Sequence, residues 1–478
     1  DSDDLCPYTQ SGQSVDSDGC SSNQVDSDGD GVVDVYDQCP NTPAGEPVNY
    51  NGCIIVGNGN ISFLGADGSD MYYFVYNLST SVWELVKHNM VEGETVITSM
   101  VGEIPWIDKV KVGNTFFFTW YDGTHGNELW MSDGTAAGTV MVKDIRSGST
   151  GSSPMLLTAV GNTVYFTASD GTHGNELWKS DGTASGTVMV KDINSGSGNG
   201  FYNHIKAIGN TVYFTADDGT HGSELWTSDG TAAGTVMVKD IQSGSVGSNI
   251  MQLAAVGNTV YFSASGGTHG NELWKSDGTA AGTVMVKDIR SGSSSSRPYD
   301  FVAVGNTVYF TASDGTHGNE LWKSDGTASG TVMVKEIRSG SVGGGPTFLT
   351  AVGNTLYFRA YDGTHGGELW KSDGTASGTV MVKDINSGSD NSNSYYFTGI
   401  GNTVYFTAND GTNGGELWKS DGTAAGTVMV KDIVSGSSST AFYQFTAVGN
   451  TLYFSVINDT GGWDMWITDG TTSGTVKV

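Results

Sequence analysis

The stretch ELWKSDGTASGTVMVKDI, from Glu176 to Ile193, returns almost unchanged along the chain. Its tryptophan recurs every 48 residues, at Trp130, Trp178, Trp226, Trp274, Trp322, Trp370, Trp418 and Trp466. Self-similarity at a fixed period of this length is the sequence signature of a repeat architecture. The chain therefore contains eight regular units, and a ninth, degenerate unit begins near Val56.

Each unit contains four short segments with the character of β-strands. In the second unit these are MLLTAV, NTVYFTA, NELWKS and GTVMVKDI, separated by connectors rich in Asp and Gly such as SDGTHG and SDGTASG. Asp and Gly favour tight turns, and no segment of the repeat has helical periodicity. Four strands in 48 residues match the size of a propeller blade. We therefore predict an all-β fold, a β-propeller of four-stranded blades.

The number of blades depends on the degenerate unit. Residues 104–478 hold the eight regular repeats, and residues 55–103 form either an extra blade or a cap. The sequence predicts a ring of eight blades, or of nine if the degenerate unit takes part. An open, capped solenoid is the alternative, since altered end units are also typical of solenoids.

Residues 1–54 differ from the rest, because their first 53 positions carry eleven acids and no Lys or Arg. The stretch DSDGDGVVDVYD has the ligand spacing of a twelve-residue calcium loop, in which alternate oxygens surround a hard cation. The predicted ligands are the side chains of Asp26, Asp28, Asp30, Asp34 and Asp37 and the carbonyl of Val32, and further oxygens come from Asp1, Asp4, Asp16 and Asp18.

All four cysteines also lie in this head. Cys6 precedes Cys20 by the same 14 positions that separate Cys39 from Cys53, and the repeated spacing favours those two pairs among the three connectivities. Disulfides would indicate an oxidising compartment outside the cytoplasm. The alternative is free or zinc-bound thiols, which the absence of a CxxC pattern disfavours.

Two resemblances follow from these motifs. The head, with its aspartate loops closed by cysteines, resembles thrombospondin type 3 repeats, which implies structural calcium. The phrase ELWKSDGT is similar to the ELWxxDGT repeat of bacterial surface proteins, over roughly residues 104–478; the eighth copy departs from it, as DMWITDGT at Asp464. Together they imply an extracellular location on a bacterial cell surface, in a large adhesin or matrix protein of the kind that gliding bacteria export.

The repeated polar residues have two interpretations each. A His stands three residues before the Glu of ELW in six units, from His125 to His365, which suits either acid–base chemistry or a local turn bond. The Asp of SDGT either binds calcium or accepts hydrogen bonds within a turn. The Trp either offers its ring face to a sugar or packs in the core. Six equivalent copies favour a structural role over catalysis, and the sequence contains no catalytic fingerprint. We therefore expect that the protein is not an enzyme.

Seven short segments do not repeat, and each follows SGS between one unit and the next. In a propeller they would gather on one face of the ring, where aromatic and Arg side chains are the usual anchors of interfaces. The candidate ligand-contacting residues are Tyr202, His204, Arg297, Tyr299, Phe348, Tyr395, Tyr396, Phe442 and Tyr443. The alternative is that these segments are unconstrained loops with an aromatic side chain turned inward.

The net charge of −29 disfavours nucleic acids as partners, and no apolar run is long enough to span a membrane. The expected function is a non-enzymatic adhesion or binding module, a calcium-stiffened stalk that presents a propeller to an extracellular glycan, protein or surface. One alternative is a structural protein that self-associates into a filament or surface layer. Another is a lectin-like, carbohydrate-binding propeller.

The calcium loop generates the first testable prediction. Calcium should bind to residues 1–53, because the aspartate oxygens have no other cation nearby in sequence. Calorimetric titration with calcium measures this binding, and chelation should lower the melting temperature of the head. A titration without any binding heat would contradict the assignment.

Overall fold

The computed structural model describes residues 61–68, 70–77, 80–89, 93–102, 108–457 and 463–478, except for the side chain of Tyr202. The predicted calcium ligands Asp1, Asp4, Asp16, Asp18, Asp26, Asp28, Asp30, Val32, Asp34 and Asp37 and the cysteines Cys6, Cys20, Cys39 and Cys53 lie outside the described residues, so the calcium loop and the disulfides remain predictions.

The described residues form nine antiparallel sheets of four consecutive strands, which we call blades 1 to 9. Blade 1 comprises β1 (Ile61–Asp67), β2 (Asp70–Asn77), β3 (Val82–Asn89) and β4 (Gly93–Met100). Blade 2 comprises β5 (Lys109–Val112), β6 (Thr115–Tyr121), β7 (Asn127–Ser132) and β8 (Val140–Lys143). Blade 3 comprises β9 (Met155–Val160), β10 (Thr163–Ala168), β11 (Glu176–Ser180) and β12 (Val188–Lys191).

Blades 4 to 6 follow the same plan. Blade 4 comprises β13 (Phe201–Ile208), β14 (Thr211–Asp217), β15 (Ser223–Ser228) and β16 (Val236–Lys239). Blade 5 comprises β17 (Met251–Val256), β18 (Thr259–Ser265), β19 (Asn271–Ser276) and β20 (Val284–Lys287). Blade 6 comprises β21 (Tyr299–Val304), β22 (Thr307–Ser313), β23 (Asn319–Ser324) and β24 (Val332–Lys335).

Blades 7 to 9 complete the fold. Blade 7 comprises β25 (Thr347–Val352), β26 (Thr355–Tyr361), β27 (Gly367–Ser372) and β28 (Val380–Lys383). Blade 8 comprises β29 (Tyr395–Ile400), β30 (Thr403–Asn409), β31 (Gly415–Ser420) and β32 (Val428–Lys431). Blade 9 comprises β33 (Phe442–Val448), β34 (Thr451–Ile457), β35 (Trp463–Thr468) and β36 (Val476–Lys477).

The blades close into a ring, a nine-bladed β-propeller. The first strand of every blade packs against the first strands of its two neighbours, β1 against both β5 and β33, so the first strands line the centre of the ring. Among the described strands, no sheet combines the two ends of the chain; the ring closes through side chains packed between blades 1 and 9. The degenerate unit is therefore a blade and not a cap, and the ring has nine blades rather than eight.

The hydrophobic core lies between blades, in nine clusters that each join two neighbours. In the VYF segment of β14, Val212 and Phe214 face blade 3, where they meet Tyr165 and Leu177. The closing cluster combines Tyr73 of blade 1 with Tyr453 of blade 9 and their neighbours. Because every blade buries both faces against others, no blade has a core of its own.

The repeated tryptophans lie in these inter-blade cores, as the core interpretation predicted. Trp226 is 5% exposed, and the Lys191 ammonium of the preceding blade stands 5.6 Å from its ring centroid. The same ammonium donates to the carbonyl oxygen of Thr235 at 2.8 Å, also in blade 4. The Lys of VMVK, and the Lys of ELWK in the units that have one, thus bridge one blade to the next, and Lys179 donates to the Gly230 carbonyl at 2.8 Å.

The packing of Tyr165 on Gly230 generates the second prediction. Gly230 has φ of +86°, and a Cβ there would lie 2.2 Å from the Tyr165 hydroxyl of blade 3. Gly230→Ala should lower the free energy of unfolding by about 2 to 3 kcal/mol, the left-handed backbone accounting for about 1 to 2 kcal/mol of it. The melting temperature measures the loss.

Gly257→Ala is the matched control, because Gly257 also has a positive φ, of +57°, but its Cβ would meet nothing within 4 Å. It should lose only the backbone contribution of about 1 kcal/mol. Tyr165→Phe should restore part of the stability of Gly230→Ala and not that of Gly257→Ala. Equal losses in the two Gly variants would contradict the proposed contact.

Candidate functional site

The two faces of the ring carry different connections. Because strands alternate in direction, the turn between the second and third strands of a blade lies on the same face as the segment that crosses to the next blade. Hydrogen bonds confirm this: Gly174 of a DGTHG turn donates to the Gly196 carbonyl at 3.3 Å, and Gly200 donates to the Asn175 carbonyl at 3.1 Å. We call this the crossover face. Its crossover segments span 144–154, 192–200, 240–250, 288–298, 336–346, 384–394 and 432–441.

The glutamate of ELW holds each crossover segment in place. All seven copies are fully buried: Glu128, Glu176, Glu224, Glu272, Glu320, Glu368 and Glu416. The Glu176 carboxylate accepts the backbone N–H groups of Ile193 at 3.0 Å and Gly200 at 2.8 Å. Glu272 likewise accepts the N–H groups of Ile289 and Ser296, both at 2.8 Å. This carboxylate therefore ties both ends of a crossover segment to the blade before it.

The histidine of DGTHG makes a local bond within its turn. Asp170 accepts the backbone N–H of His173 at 2.8 Å, and its other oxygen lies 2.8 Å from the ring Nδ1. In blade 8, Asn413 replaces the His and donates its amide to Asp410 at 2.8 Å, so an amide fills the same position. The local-turn interpretation is confirmed, since the imidazole is replaceable by a group that cannot transfer a proton at neutral pH.

The aspartate of SDGT lies on the opposite face and also bonds within its turn. The Asp181 carboxylate accepts the backbone N–H and the hydroxyl of Thr183, at 2.9 and 2.8 Å. Beside it, the hydroxyls of Ser180 and Thr187 are 2.7 Å apart. In the part of the chain that the structure describes, no group of three or more His, Cys, Asp or Glu is placed to hold a metal ion.

A groove of about 560 Å³ lies at the inner strands of blades 7 and 8. Three of the predicted ligand-contacting residues line it, and all three are well exposed for aromatic groups: Phe348 at 43%, Tyr395 at 37% and Tyr396 at 44%. Leu349, Thr350 and Phe397 complete the lining. The Phe348 and Tyr395 rings meet edge to face, with centroids 5.4 Å apart, although they belong to different blades.

The backbone holds these rings outward. Phe348 and Tyr396 occupy equivalent repeat positions and have φ of +61° and +58°, which are costly for residues with a Cβ. Each lies in a β-bulge, because the pairing of β25 with β26 and of β29 with β30 shifts register at this point. Bulges re-aim side chains out of the regular pleat. The repeat supplies the bulge, and blades 7 and 8 fill it with aromatic rings.

Arg359 supports the groove from the second strand of blade 7. Its guanidinium carbon lies 4.9 Å from the Tyr395 ring centroid and 5.4 Å from that of Phe348. Other repeats place Thr or Ser at this position, as at Thr311 and Thr407. Sequence reasoning missed Arg359, although its departure from the repeat was a visible signal.

A second, polar cavity of about 700 Å³ lies where the crossover segment 288–298 meets blade 6. Two predicted residues, Arg297 and Tyr299, line it together. The lining also contains Arg290, Ser293, Ser294, Ser295, Ser296, Ser313 and Asn319, which the sequence did not single out.

The other predicted residues lie elsewhere. His204 is half-buried in β13, and burial lowers the pKa of its imidazole. Phe442 belongs to the core between blades 8 and 9, where it is 7% exposed and packs on Phe454. Tyr443 is exposed and its ring lies 5.5 Å from that of Trp463. Tyr202 lies in β13, and its side chain is outside the described part.

Comparison with known proteins defines the class of fold but not a family. No protein-family profile and no curated protein sequence matches the chain. Among solved structures, a eukaryotic initiation factor is 10% identical with a TM-score of 0.52, and the match covers 86% of this chain and 96% of that one. At this identity the likeness shows the fold alone, that of a β-propeller.

Several hydrolases also match in part. A puromycin hydrolase is 13% identical with a TM-score of 0.38, covering 73% of this chain and 58% of that one. A prolyl endopeptidase is 12% identical with a TM-score of 0.41, covering 75% and 52%. This chain thus spans little more than half the length of those enzymes. Within the described ranges, the chain has no helix long and apolar enough to cross a membrane.

The buried glutamates generate the third prediction, on the pH dependence of stability. Burial raises the pKa of Glu176, Glu224 and Glu368 from an ordinary 4.5 to about 7. Between these values the folded chain holds protons that the unfolded chain has released, so stability falls as the pH rises. The bond to Asp170 raises the pKa of His173 and adds to the same trend.

The free energy of unfolding should therefore decrease from pH 5 to pH 8, by up to about 1 kcal/mol per pH unit for each such carboxyl, and the melting temperature should decrease with it. His88 and His204 oppose the trend, because burial lowers the pKa of both, that of His88 to about 4, but the seven glutamates with a raised pKa outnumber them. Glu368→Gln removes one titrating carboxyl and should flatten the slope. A melting temperature that rises steadily across this range would contradict the assignment.

Proposed function

We propose that this chain is a non-enzymatic, extracellular binding module of a bacterial surface protein, and that its propeller binds a glycan in the groove of blades 7 and 8. The observation that carries the proposal is the group of exposed rings at Phe348, Tyr395 and Tyr396. Aromatic faces of this kind offer apolar contact to the faces of pyranose rings, and tyrosine hydroxyls add hydrogen bonds.

The size of the groove favours a small unit over a protein surface. A volume of about 560 Å³ falls within the range of small-molecule sites, roughly 300 to 1,000 Å³. A stable protein partner would instead need on the order of 800 Å² of surface on each side. The groove is therefore better matched to one or two sugar rings of a longer glycan than to a protein surface.

Rigidity of the groove supports the same function. Phe348, Tyr395 and Arg359 pack against one another, and Tyr396 stacks on Phe445 of blade 9 at 5.5 Å. Rings fixed in this way lose little conformational entropy when a ligand binds. The left-handed backbone at Phe348 and Tyr396 is a feature of the repeat, shared by Leu156 and Gln252 at equivalent positions, and in blades 7 and 8 it presents aromatic rings.

The absence of enzymatic activity is part of the proposal. The repeated Glu and His side chains form hydrogen bonds with neighbouring backbone and turn groups, as Glu176 and His173 do. The head belongs to it as well: a calcium loop at 26–37 would stiffen a stalk that carries the propeller away from the cell. Its test is the calcium titration of the head.

The fourth prediction tests the groove. A glycan array probed with the full chain should show binding, and Tyr395→Ala should weaken the affinity for the bound glycan by about five- to thirtyfold, because one stacked ring contributes on the order of 1 to 2 kcal/mol. Surface plasmon resonance with the same glycan measures the change.

Met251→Ala is the matched control, since Met251 occupies the repeat position of Tyr395 in blade 5 and is 47% exposed. It should leave the affinity unchanged. Equal loss in both variants, or an array without any binding, would overturn the glycan site. Concentration-dependent polymers in sedimentation would instead favour the structural assembly function.

A further inference from the structure

The polar cavity between blades 5 and 6 combines two positive charges with many hydrogen-bond donors. Arg290 and Arg297 both line it, the first half-buried and the second exposed. The hydroxyls of Ser293 to Ser296, Tyr299 and Ser313 and the amide of Asn319 provide the rest of its polar lining. We propose that this cavity, which we call the Arg290–Arg297 pocket, binds the sulfate or phosphate monoester group of a small or sparsely charged ligand.

The two guanidinium groups have no anionic partner of their own. Among the residues that the structure describes, neither forms an ion pair or a side-chain hydrogen bond. Both guanidinium groups thus lack a counter-ion within the described protein, and an anion placed between them would be attracted by both charges. The chain as a whole carries a net charge of −29, so a cavity lined by two arginines is opposite in sign to the chain as a whole.

The carboxylates close to the pocket already have partners. Glu272 accepts the backbone N–H and the hydroxyl of Ser296, at 2.8 and 2.6 Å. Asp314 accepts the backbone N–H of His317 at 2.9 Å and contacts its imidazole at 2.6 Å. These acids position the walls of the pocket and do not neutralise the arginines.

The pocket is also a departure from the repeat. Arg290 has equivalents at Arg146 and Arg338, but the position of Arg297 holds Ser153 and Gly345 in those two units. Arg297 has φ of +48°, as Ser153 does at the equivalent position, and its backbone N–H donates to the Asn271 carbonyl at 3.1 Å, so a turn common to the repeat presents its side chain. A second arginine therefore appears at this one crossover segment.

The donor set indicates the class of anion. A carboxylate offers two coplanar oxygens, which one guanidinium fork can satisfy. A sulfate or phosphate monoester offers three oxygens in three directions, which suits two forks and several hydroxyls. Densely charged polymers such as nucleic acids are disfavoured by the overall negative charge. A singly esterified sugar is the simplest ligand of this chemistry.

The fifth prediction tests the pocket by calorimetric titration of the full chain, in chloride buffer, with glucose 6-sulfate, glucose 6-phosphate and glucose. Either ester should bind with a Kd of about 1 mM or tighter, and glucose should show no binding heat. The two ester titrations identify which oxyanion is preferred. Arg297→Gln should weaken the binding by about tenfold or more, because it removes charge-assisted hydrogen bonds.

Arg338→Gln is the matched control, because Arg338 stands at the repeat position of Arg290 next to Gly345 and should leave the affinity unchanged. Tyr395→Ala should also leave it unchanged, so that failure of the glycan groove and failure of this pocket are distinguishable. Unaltered melting temperatures would show that the variants fold. The proposal is overturned by an absence of heat with both esters, by equal binding of glucose, or by equal affinity in Arg297→Gln.

Discussion

The carboxylate of the ELW glutamate is the contact on which the crossover face depends. It is buried without exposure in seven blades and accepts backbone N–H groups from both ends of the following crossover segment. Buried N–H groups without acceptors cost on the order of 1 to 3 kcal/mol each. A single side chain thus accepts hydrogen bonds from buried backbone groups at the point where the chain leaves one blade for the next, and the Gly200 N–H shares its bond between Glu176 and the Asn175 carbonyl.

The glutamate bonds mainly to backbone N–H groups and needs few particular side chains in the crossover segment. Repeats that are otherwise alike can therefore carry crossover segments of different sequence. Glu320 accepts the N–H of Gly344, whereas the equivalent Glu416 accepts the hydroxyl of Thr440. The glutamate stays constant while its partners change. Variation in the crossover segments is therefore concentrated in side chains that do not contact the glutamate, and in segment 288–298 Arg290 and Arg297 are among those that line the Arg290–Arg297 pocket.

The sequence predicted the blade well and the ring less well. A period of 48 residues with Asp and Gly turns indicates four strands, and β9 to β12 match the four predicted segments. The count of blades was open, because the first blade keeps the pattern of buried residues without the ELWxxDGT wording. Its β2, with Tyr73 and Phe74 buried, shows that burial and not the motif decides membership of the ring.

The candidate sites could be predicted only in part, since they form between blades. Phe348 and Tyr395 are 47 positions apart in sequence and 5.4 Å apart between ring centroids. Alternation places Phe442 and Tyr443 on opposite faces of β33, but it does not say which face is the core, because the bulge between Tyr443 and Thr446 interrupts the pattern along the strand.

Arg359 was accessible to a different comparison, of each unit with the others. In a symmetric ring, symmetric residues build the scaffold, because each must satisfy the same contacts nine times over. A residue that differs from the repeat does not make these shared contacts. It is tolerated only where its own neighbours in the structure accommodate its side chain. Arg359 is accepted by the aromatic rings that it touches, whereas Arg290 and Arg297 lack such partners. That difference is why the first is assigned to the support of a groove and the second pair to the binding of an anion.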